Sequence, residues 1–186
     1  MNSIHNEEAK QEELLAEKIR TYSAALYKLA LIQLKNEQDA EDVVQEVFYS
    51  YIRESREFLS QEHERAWFIK VTLNACKKVF RSAWNRHRSD LPEGFGETYA
   101  DPGEPPDASY IRREANAELA KAVWGLPGQY REVIHLFYYE ELSVKEIALI
   151  CGRKEATVTS QLTRGRRILK KKLKEDYRFE EFRGSV

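Results

Sequence analysis

The chain lacks several features that would define its class at once. Its 186 residues include only two cysteines, Cys76 and Cys151, which have neither the paired spacing of a metal site nor that of a redox motif. Each lies in an apolar helical stretch, so the sequence predicts buried free thiols and no bound metal or cofactor. No window reaches the ~18 apolar residues of a membrane span, and residues 1–10 are too polar for a secretory signal. A soluble cytoplasmic protein without membrane insertion is expected.

The chain also lacks an overall charge of one sign. It contains 30 Lys and Arg against 31 Asp and Glu, so the net charge gives no argument for a nucleic-acid partner. The distribution is uneven, however, because nine basic residues and one acid, Glu155, lie between Arg153 and Lys174. Such segregation is typical of a protein with a polyanion partner, although a solvated helix face explains it equally well.

No convincing alternating strand pattern occurs, and the N-terminal part shows helical periodicity instead. Apolar residues recur at steps of three and four in three stretches, Leu15 to Leu29, Val43 to Tyr51 and Phe68 to Val79. Asn36 is a good N-cap for the second helix, whose first turns are acidic. The sequence therefore predicts an all-α domain of three helices over residues 10–88.

The composition changes abruptly after this domain. Residues 89–108 contain four of the five prolines, three glycines and six acids, with no Lys or Arg. Such a segment cannot bury enough apolar surface to become ordered, so an extended acidic linker is predicted. Helical periodicity then resumes, which predicts a second small helical domain over residues 109–176 and a C-terminal tail over residues 177–186.

The second domain has the pattern of a helix-turn-helix. Ser143 and Glu146 form a capping box that begins a short helix, and Gly152 supplies the positive φ of a tight turn. The next helix, from about Lys154 to Leu169, has one apolar and one polar face, as expected of a helix that enters the major groove. An ordinary helical hairpin with a solvated polar face is the alternative.

Two further features surround this motif. Leu126-Pro127 is predicted to begin another helix with proline at its first position, so that Val133, Ile134, Phe137 and Tyr138 pack under the motif. The cluster from Lys170 to Lys174 is predicted to follow the phosphate backbone without reading sequence.

The polar face of the last helix carries the candidate residues for duplex DNA. Gln161 can form two hydrogen bonds with adenine, and Arg164 can bind guanine or a phosphate. The full candidate set is Lys154, Thr157, Thr159, Ser160, Gln161, Arg164 and Arg167.

Both domains resemble one known family, the extracytoplasmic-function (ECF) sigma factors of the sigma-70 family. Region four of that family is similar to Leu126-Pro127, Tyr130 to Ile134, Glu141 to Ala148 and Thr157-Val158. Region two is similar to Asp39 to Phe48 and to Arg65 to Ile69 with Asn74. The resemblance covers both predicted domains in the right order.

The resemblance implies a transcription initiation factor that is not an enzyme and that binds RNA polymerase core and promoter DNA. The β′ clamp helices would contact Asp39, Glu41, Asp42, Gln45, Glu46 and Phe48. The unpaired minus-ten strand would contact Arg65, Lys70, Asn74, Lys77, Lys78 and Arg81, beside a loop from Glu54 to Glu64. Trp67 and Phe68 could stack on bases, although core packing is the expected role.

Region four would read the minus-thirty-five duplex, and the β flap and an anti-sigma factor are further partners that the resemblance suggests. The acidic linker would pass through the active-site cleft and RNA exit channel of the polymerase. The sequence departs from the family pattern at Lys78, Arg153, Lys154, Thr159 and Gln161, and the last two make the centre of the recognition helix less cationic than usual.

Two other functions are compatible with parts of the sequence. A conventional helix-turn-helix regulator would bind symmetric operators and would use its first domain for dimerisation or sensing. An enzyme would use Asp39, Glu41, Asp42 and Glu46 to hold a metal ion, but no nearby His or Gly-rich phosphate loop accompanies them.

Overall fold

The computed structural model describes residues 2–54, 56–87 and 117–183, with side chains described for 11–54, 56–82, 119 and 121–173. Within these ranges the regular elements are seven α-helices without a strand, which confirms the predicted all-α class. They divide into two compact units, Met1–Phe95 and Gly96–Val186. The predicted linker, residues 89–108, lies outside the described residues. No helix in the described ranges is long and apolar enough to cross a membrane.

The first unit consists of α1 (Asn2–Leu34), α2 (Glu37–Glu54) and α3 (Gln61–His87). The backbone N–H of Asp39 donates to Asn36 Oδ1 at 2.9 Å, so Asn36 caps α2 as predicted. Ser60 caps α3 in the same way, because its Oγ accepts from the backbone N–H of His63 at 3.2 Å. Local side-chain chemistry therefore sets where α2 and α3 begin.

Aromatic residues dominate the core of the first unit. Phe68 is fully buried, and its ring stacks on Tyr22 with centroids 4.5 Å apart and contacts the tilted ring of Phe48 at 5.7 Å. Trp67 is also buried, so the core roles predicted for Trp67 and Phe68 are confirmed. Ile19, which the apolar stripe of α1 placed in the core, is instead exposed.

The second unit consists of α4 (Ala117–Trp124), α5 (Gly128–Tyr138), α6 (Val144–Cys151) and α7 (Glu155–Arg183). Pro127 has φ −54° and ψ 140°, so it is the N-cap of α5 and not its first helical residue. The last helix continues well beyond Leu169 and includes most of the predicted tail. The reason is local, because the sequence from Leu169 to Arg183 contains no glycine or proline.

The core of the second unit lies between α5, α6 and α7. Val133, Leu136, Ile147 and Val158 are fully buried there. Tyr138, which the sequence placed under the helix-turn-helix, is exposed instead.

Gly165 lies where α7 packs against Ile134 and Tyr130 of α5. A Cβ added at Gly165 would lie 3.1 Å from Ile134 Cγ1 and 3.4 Å from Tyr130 Cβ. The absence of a side chain at this position therefore lets the two helices cross closely.

Candidate nucleic-acid interface

The turn between α6 and α7 has the geometry of a helix-turn-helix. The backbone N–H of Ser143 donates to Glu146 Oε2 at 2.8 Å, and that of Glu146 donates to Ser143 Oγ at 3.3 Å, which confirms the capping box. Gly152 ends α6 with φ 64° and ψ 39°, as its predicted turn role requires. These two features fix the length of α6 and the direction in which α7 leaves it.

The solvent face of α7 is polar and basic along its N-terminal half. Thr157, Ser160, Arg164 and Arg167 recur at steps of three and four and are exposed. They lie opposite the buried face that contains Val158 and packs on the core.

A shallow, open depression on this face brings several candidate residues together. It is lined by Thr159, Ser160, Thr163, Arg164 and Arg167. Thr163 was not among the sequence candidates, although its position four residues after Thr159 indicates the same face. The hydroxyls of Thr159 and Thr163 donate to backbone oxygens one turn earlier, at 3.0 and 2.9 Å.

Gln161 differs from its neighbours because it is partly buried and already hydrogen-bonded. Arg153 Nη1 donates to Gln161 Oε1 at 3.1 Å. The same guanidinium pairs through Nη2 with Glu132 Oε1 on α5, also at 3.1 Å. The amide oxygen needed for the predicted adenine contact is therefore engaged within the protein.

The basic cluster after Leu169 also divides into different roles. Lys170 and Lys171 are exposed. Lys172 Nζ donates to the backbone oxygen of Gly125 at 3.0 Å, which ties α7 to the end of α4. The predicted phosphate-binding role therefore fits Lys170 better than Lys172, while the side chain of Lys174 lies outside the described residues.

In the first unit, the exposed face of α2 is acidic at its start and apolar further along. Asp42 and Gln45 lie on this face, with the exposed Glu41 and Glu46 at its margins, whereas Asp39 is half-buried. The face then continues through two exposed apolar residues, Tyr49 at 64% and Ile52 at 51% exposure. Sequence reasoning missed both, although they follow Gln45 at the helical spacings of four and seven residues.

The position of Phe48 differs from the prediction for this face. It was expected to contact the polymerase, but its ring is only 8% exposed and packs against Phe68 in the core. The apolar periodicity of α2 explains the difference, because Phe48 follows the buried Val47 and Val43 around the helix.

Most of the predicted minus-ten residues share one side of α3. Lys70, Asn74, Lys78 and Arg81 are exposed, and Lys77 is half-buried among them. Arg65 is the exception, since a separation of five residues turns it by roughly 140° from Lys70 around the helix. The structure thus does not bring Arg65 together with the others.

One ion pair connects the two candidate surfaces of the first unit. Lys78 Nζ lies 2.7 Å from Glu46 Oε1, with both side chains largely exposed. A predicted DNA contact and a predicted polymerase contact are therefore partners of each other in this structure. An exposed pair of this kind is easily exchanged for a stronger partner.

A buried polar group lies on the other side of α3. Tyr22 Oη donates to Glu64 Oε2 at 3.0 Å, and Lys18 Nζ lies 3.0 Å from Glu64 Oε1. Burial, followed by the hydrogen bond to Glu64, raises the pKa of Tyr22 to about 12. The interaction with Glu64 raises the pKa of Lys18 even though burial alone would lower it.

The loop before α3 adds exposed and aromatic groups to this end of the unit. Phe58 packs on Trp67 with centroids 5.7 Å apart and stacks on Tyr51 at 6.3 Å. Leu59 is almost completely exposed. The loop is therefore anchored by Phe58 and presents Leu59 to solvent.

The two cysteines are free thiols, as predicted, but only Cys76 is buried. Cys151 is partly exposed, and its thiol donates to Glu132 Oε1 at 3.1 Å. Among the side chains that the structure describes, no three His, Cys, Asp or Glu residues are grouped so that they could hold a metal ion.

Comparison with known proteins gives these surfaces a context. The family model "Sigma-70 region 2" matches residues 19–86, and "Sigma-70, region 4" matches residues 117–169. ECF RNA polymerase sigma factor SigE of Mycolicibacterium smegmatis is 31% identical over 155 residues, which cover 83% of this chain and 59% of that protein. The chain belongs to the ECF sigma factors of the sigma-70 family.

Other sigma factors match over nearly their full length. ECF RNA polymerase sigma factor SigW of Bacillus subtilis is 27% identical over 171 residues, which cover 88% of this sigma factor and 91% of SigW. The fold is similar to that of the sigma factor RpoE in a complex with the anti-sigma factor NepR from Bartonella quintana. The TM-score is 0.64 at 22% identity, over 86% of this chain and 96% of that one.

Proposed function

We propose that this sigma factor binds core RNA polymerase in the cytoplasm and directs promoter-specific initiation without catalysis of its own. In this proposal the second unit reads the minus-thirty-five duplex, and the first unit holds the unpaired minus-ten strand. The observation that carries it is the exposed polar and basic face of α7, which directly follows a capped helix and a left-handed glycine turn. A helix presented in this way fits the major groove.

The chemistry of α7 supports contact with duplex DNA. Arg164 and Arg167 can bind guanine edges or phosphates, and Lys154 precedes the helix start, where its charge can reach a phosphate. Thr157, Thr159 and Ser160 are short and polar, so they allow the helix backbone to approach the groove closely. A face made only of long charged side chains would hold the helix further away.

The exposed face of α2 is the proposed polymerase surface. It combines the acids Glu41, Asp42 and Glu46 with Gln45 and the exposed Tyr49 and Ile52. Aromatic residues that remain exposed beside charges are enriched at protein interfaces, where the apolar part supplies affinity and the charges supply orientation.

The basic side of α3 is the proposed minus-ten surface. Lys70, Lys77 and Arg81 supply positive charge along a single helix side, and Asn74 supplies an amide between them. Positive charge can follow a single-stranded backbone, and the loop with the exposed Leu59 precedes the same helix. Arg65 has no part in this surface.

An anti-sigma factor is a further proposed partner. RpoE of Bartonella quintana, whose fold is similar to that of this chain, has been solved in a complex with the anti-sigma factor NepR. An inhibitor of this kind would act by covering the polymerase or DNA surfaces described above.

Reconstituted transcription tests the function directly. The purified chain is mixed with bacterial core polymerase and a library of promoter fragments, and run-off products are sequenced. We expect specific start sites that core polymerase alone does not produce. A conventional regulator would instead bind symmetric duplexes and yield no specific product from core polymerase, which would overturn the proposal.

Variants of α2 test the polymerase surface. We expect Asp42→Ala and Tyr49→Ala each to weaken core binding by about tenfold, because each removes part of an interface. The matched control is Glu12→Ala, which removes an exposed acid of α1 outside this surface. Equal affinities for all three variants, measured by titration of labelled protein with core, would contradict the assignment.

A further inference from the structure

A buried carboxylate holds the arginine that precedes the recognition helix. Glu132 on α5 is only 6% exposed, and its Oε1 lies 3.1 Å from Arg153 Nη2. The same carboxylate accepts a hydrogen bond from the Cys151 thiol at 3.1 Å, so its orientation is fixed from two sides. Arg153 lies in the turn between α6 and α7, and it is therefore held in a defined position next to the recognition helix.

Arg153 in turn determines which atoms Gln161 can offer to DNA. Its Nη1 donates to Gln161 Oε1 at 3.1 Å. A guanidinium has only donors, so the amide must present its oxygen to Arg153 and leave its NH2 group free for other partners. Glu132 pairs with Nη2 of Arg153, so breaking the hydrogen bond to Gln161 would leave Nη1 of Arg153 without an acceptor among these two residues.

Base recognition by a glutamine depends on both ends of its amide. Adenine presents an N6 donor and an N7 acceptor in the major groove, so a bidentate contact needs the amide oxygen and the amide nitrogen together. Guanine presents two acceptors, O6 and N7, which the NH2 group alone can satisfy. An amide whose oxygen is already hydrogen-bonded can therefore still donate to guanine, but it cannot form the bidentate contact with adenine.

We propose that Arg153, positioned by Glu132, presets Gln161 as a hydrogen-bond donor, so that Gln161 selects guanine over adenine in the minus-thirty-five element. Arg153 is a positioning residue here, and Gln161 is the residue that touches the base. The proposal rests on the proposed function and replaces the adenine contact expected from the sequence. It also gives a role to Arg153, one of the positions at which this chain departs from the family pattern.

The test uses the full chain with core polymerase and promoters whose minus-thirty-five duplex is randomised. Sequencing of bound DNA gives the base preference at each position. Gln161→Ala identifies the base pair that Gln161 reads, because only there should the guanine preference disappear. At that pair, Arg153→Leu should raise adenine relative to guanine by at least about fivefold, since a bidentate pair contributes about 1–3 kcal/mol of discrimination.

Three controls separate this effect from misfolding and from the loss of charge. Glu132→Gln/Arg153→Leu avoids an unpaired buried carboxylate and should show the same change of preference as Arg153→Leu. Lys154→Leu removes the neighbouring positive charge and should weaken binding without changing the preferred base. Arg153→Leu/Gln161→Ala should show no gain of adenine, because the amide is absent.

The outcomes distinguish this inference from the proposed function. An unchanged guanine preference in both Arg153→Leu and the Glu132→Gln/Arg153→Leu variant would overturn the inference, as would a Gln161→Ala variant whose preferences match the wild type at every position. In either case promoter-specific transcription would persist and the proposed function would stand. If the wild-type chain with core polymerase selected no sequence, the proposed function itself would fail.

Discussion

Several polar side chains of this sigma factor interact with partners outside their own helix, and burial determines how much each interaction contributes to stability. The pair Lys78–Glu46 is largely exposed, and pairs of this kind contribute at most about 1 kcal/mol. Arg131 is buried and donates to the backbone oxygens of Trp124 and Leu126 at 3.0 and 2.8 Å, so it holds the turn between α4 and α5. Buried polar residues such as Arg131 stabilise the fold, whereas exposed residues such as Lys78 and Glu46 remain available to partners.

Tyr22 allows a test of the buried polar group in the first unit. We expect Tyr22→Phe to lower the free energy of unfolding of this unit by about 1–2 kcal/mol at neutral pH, because the Glu64 carboxylate loses a buried donor. Urea unfolding, followed by tryptophan fluorescence in a Trp124→Phe background, reports on the first unit.

The raised pKa of Tyr22 determines how the stability difference between the wild type and Tyr22→Phe depends on pH. Folding favours the neutral phenol, whose pKa rises from 10.0 to about 12, so the stabilisation is complete below pH 10 and is lost as the pH rises through about 12. The wild type should therefore lose stability faster than Tyr22→Phe between these values. Parallel curves for the two proteins would contradict this role of Tyr22.

At the scale of elements, the recognition helix depends on its neighbours for its position. The capping box and Gly152 determine where α6 begins and ends, and Gly165 allows α7 to lie close to α5. Lys172 adds a contact with Gly125 near the end of α4. The position of α7 is thus fixed along its length, while its opposite face remains exposed for a partner.

Gly165→Leu tests the close crossing of α5 and α7. A side chain there would collide with Ile134 and Tyr130, and overpacking of this kind costs about 1–3 kcal/mol even though leucine is the better helix former. Thr163→Leu is the matched control, because Thr163 is exposed on the same helix. Hydrogen exchange of α5 and α7 amides should increase only in Gly165→Leu, and equal protection in both variants would contradict the prediction.

At the scale of the whole molecule, charge is segregated although the net charge is only −1. The acidic face of α2 and the basic side of α3 belong to the first unit, and the basic face of α7 belongs to the second. Separation of charge between helix faces allows one chain to bind both a protein surface and DNA.

The salt dependence of DNA binding tests the role of the basic residues in α7. Replacing Lys170 with Gln should lower the slope of log affinity against log salt by about 0.9, which is the contribution of one lost phosphate contact. Lys172→Gln is the matched control, because its Nζ is bonded to Gly125. Sequence preference should stay the same in all variants, and an equal loss of slope from Lys172→Gln alone would contradict the assignment.

Local signals in the sequence were sufficient for the helical class and for the family. The cap at Asn36, the capping box at Ser143 and the turn at Gly152 all depend on residues within one helical turn, and the structure confirms each of them. The continuation of α7 beyond Leu169 could also have been predicted, because no helix breaker follows before Gly184.

The availability of individual side chains was decided only by the tertiary structure. Phe48 lies in the core and Lys172 binds a distant backbone oxygen, although both were candidates for partner contacts. Gln161 is engaged by Arg153, which is itself held by Glu132 from 21 positions away. Periodicity and capping act over three or four residues, whereas these contacts depend on how whole helices cross, and no short stretch of sequence contains that information.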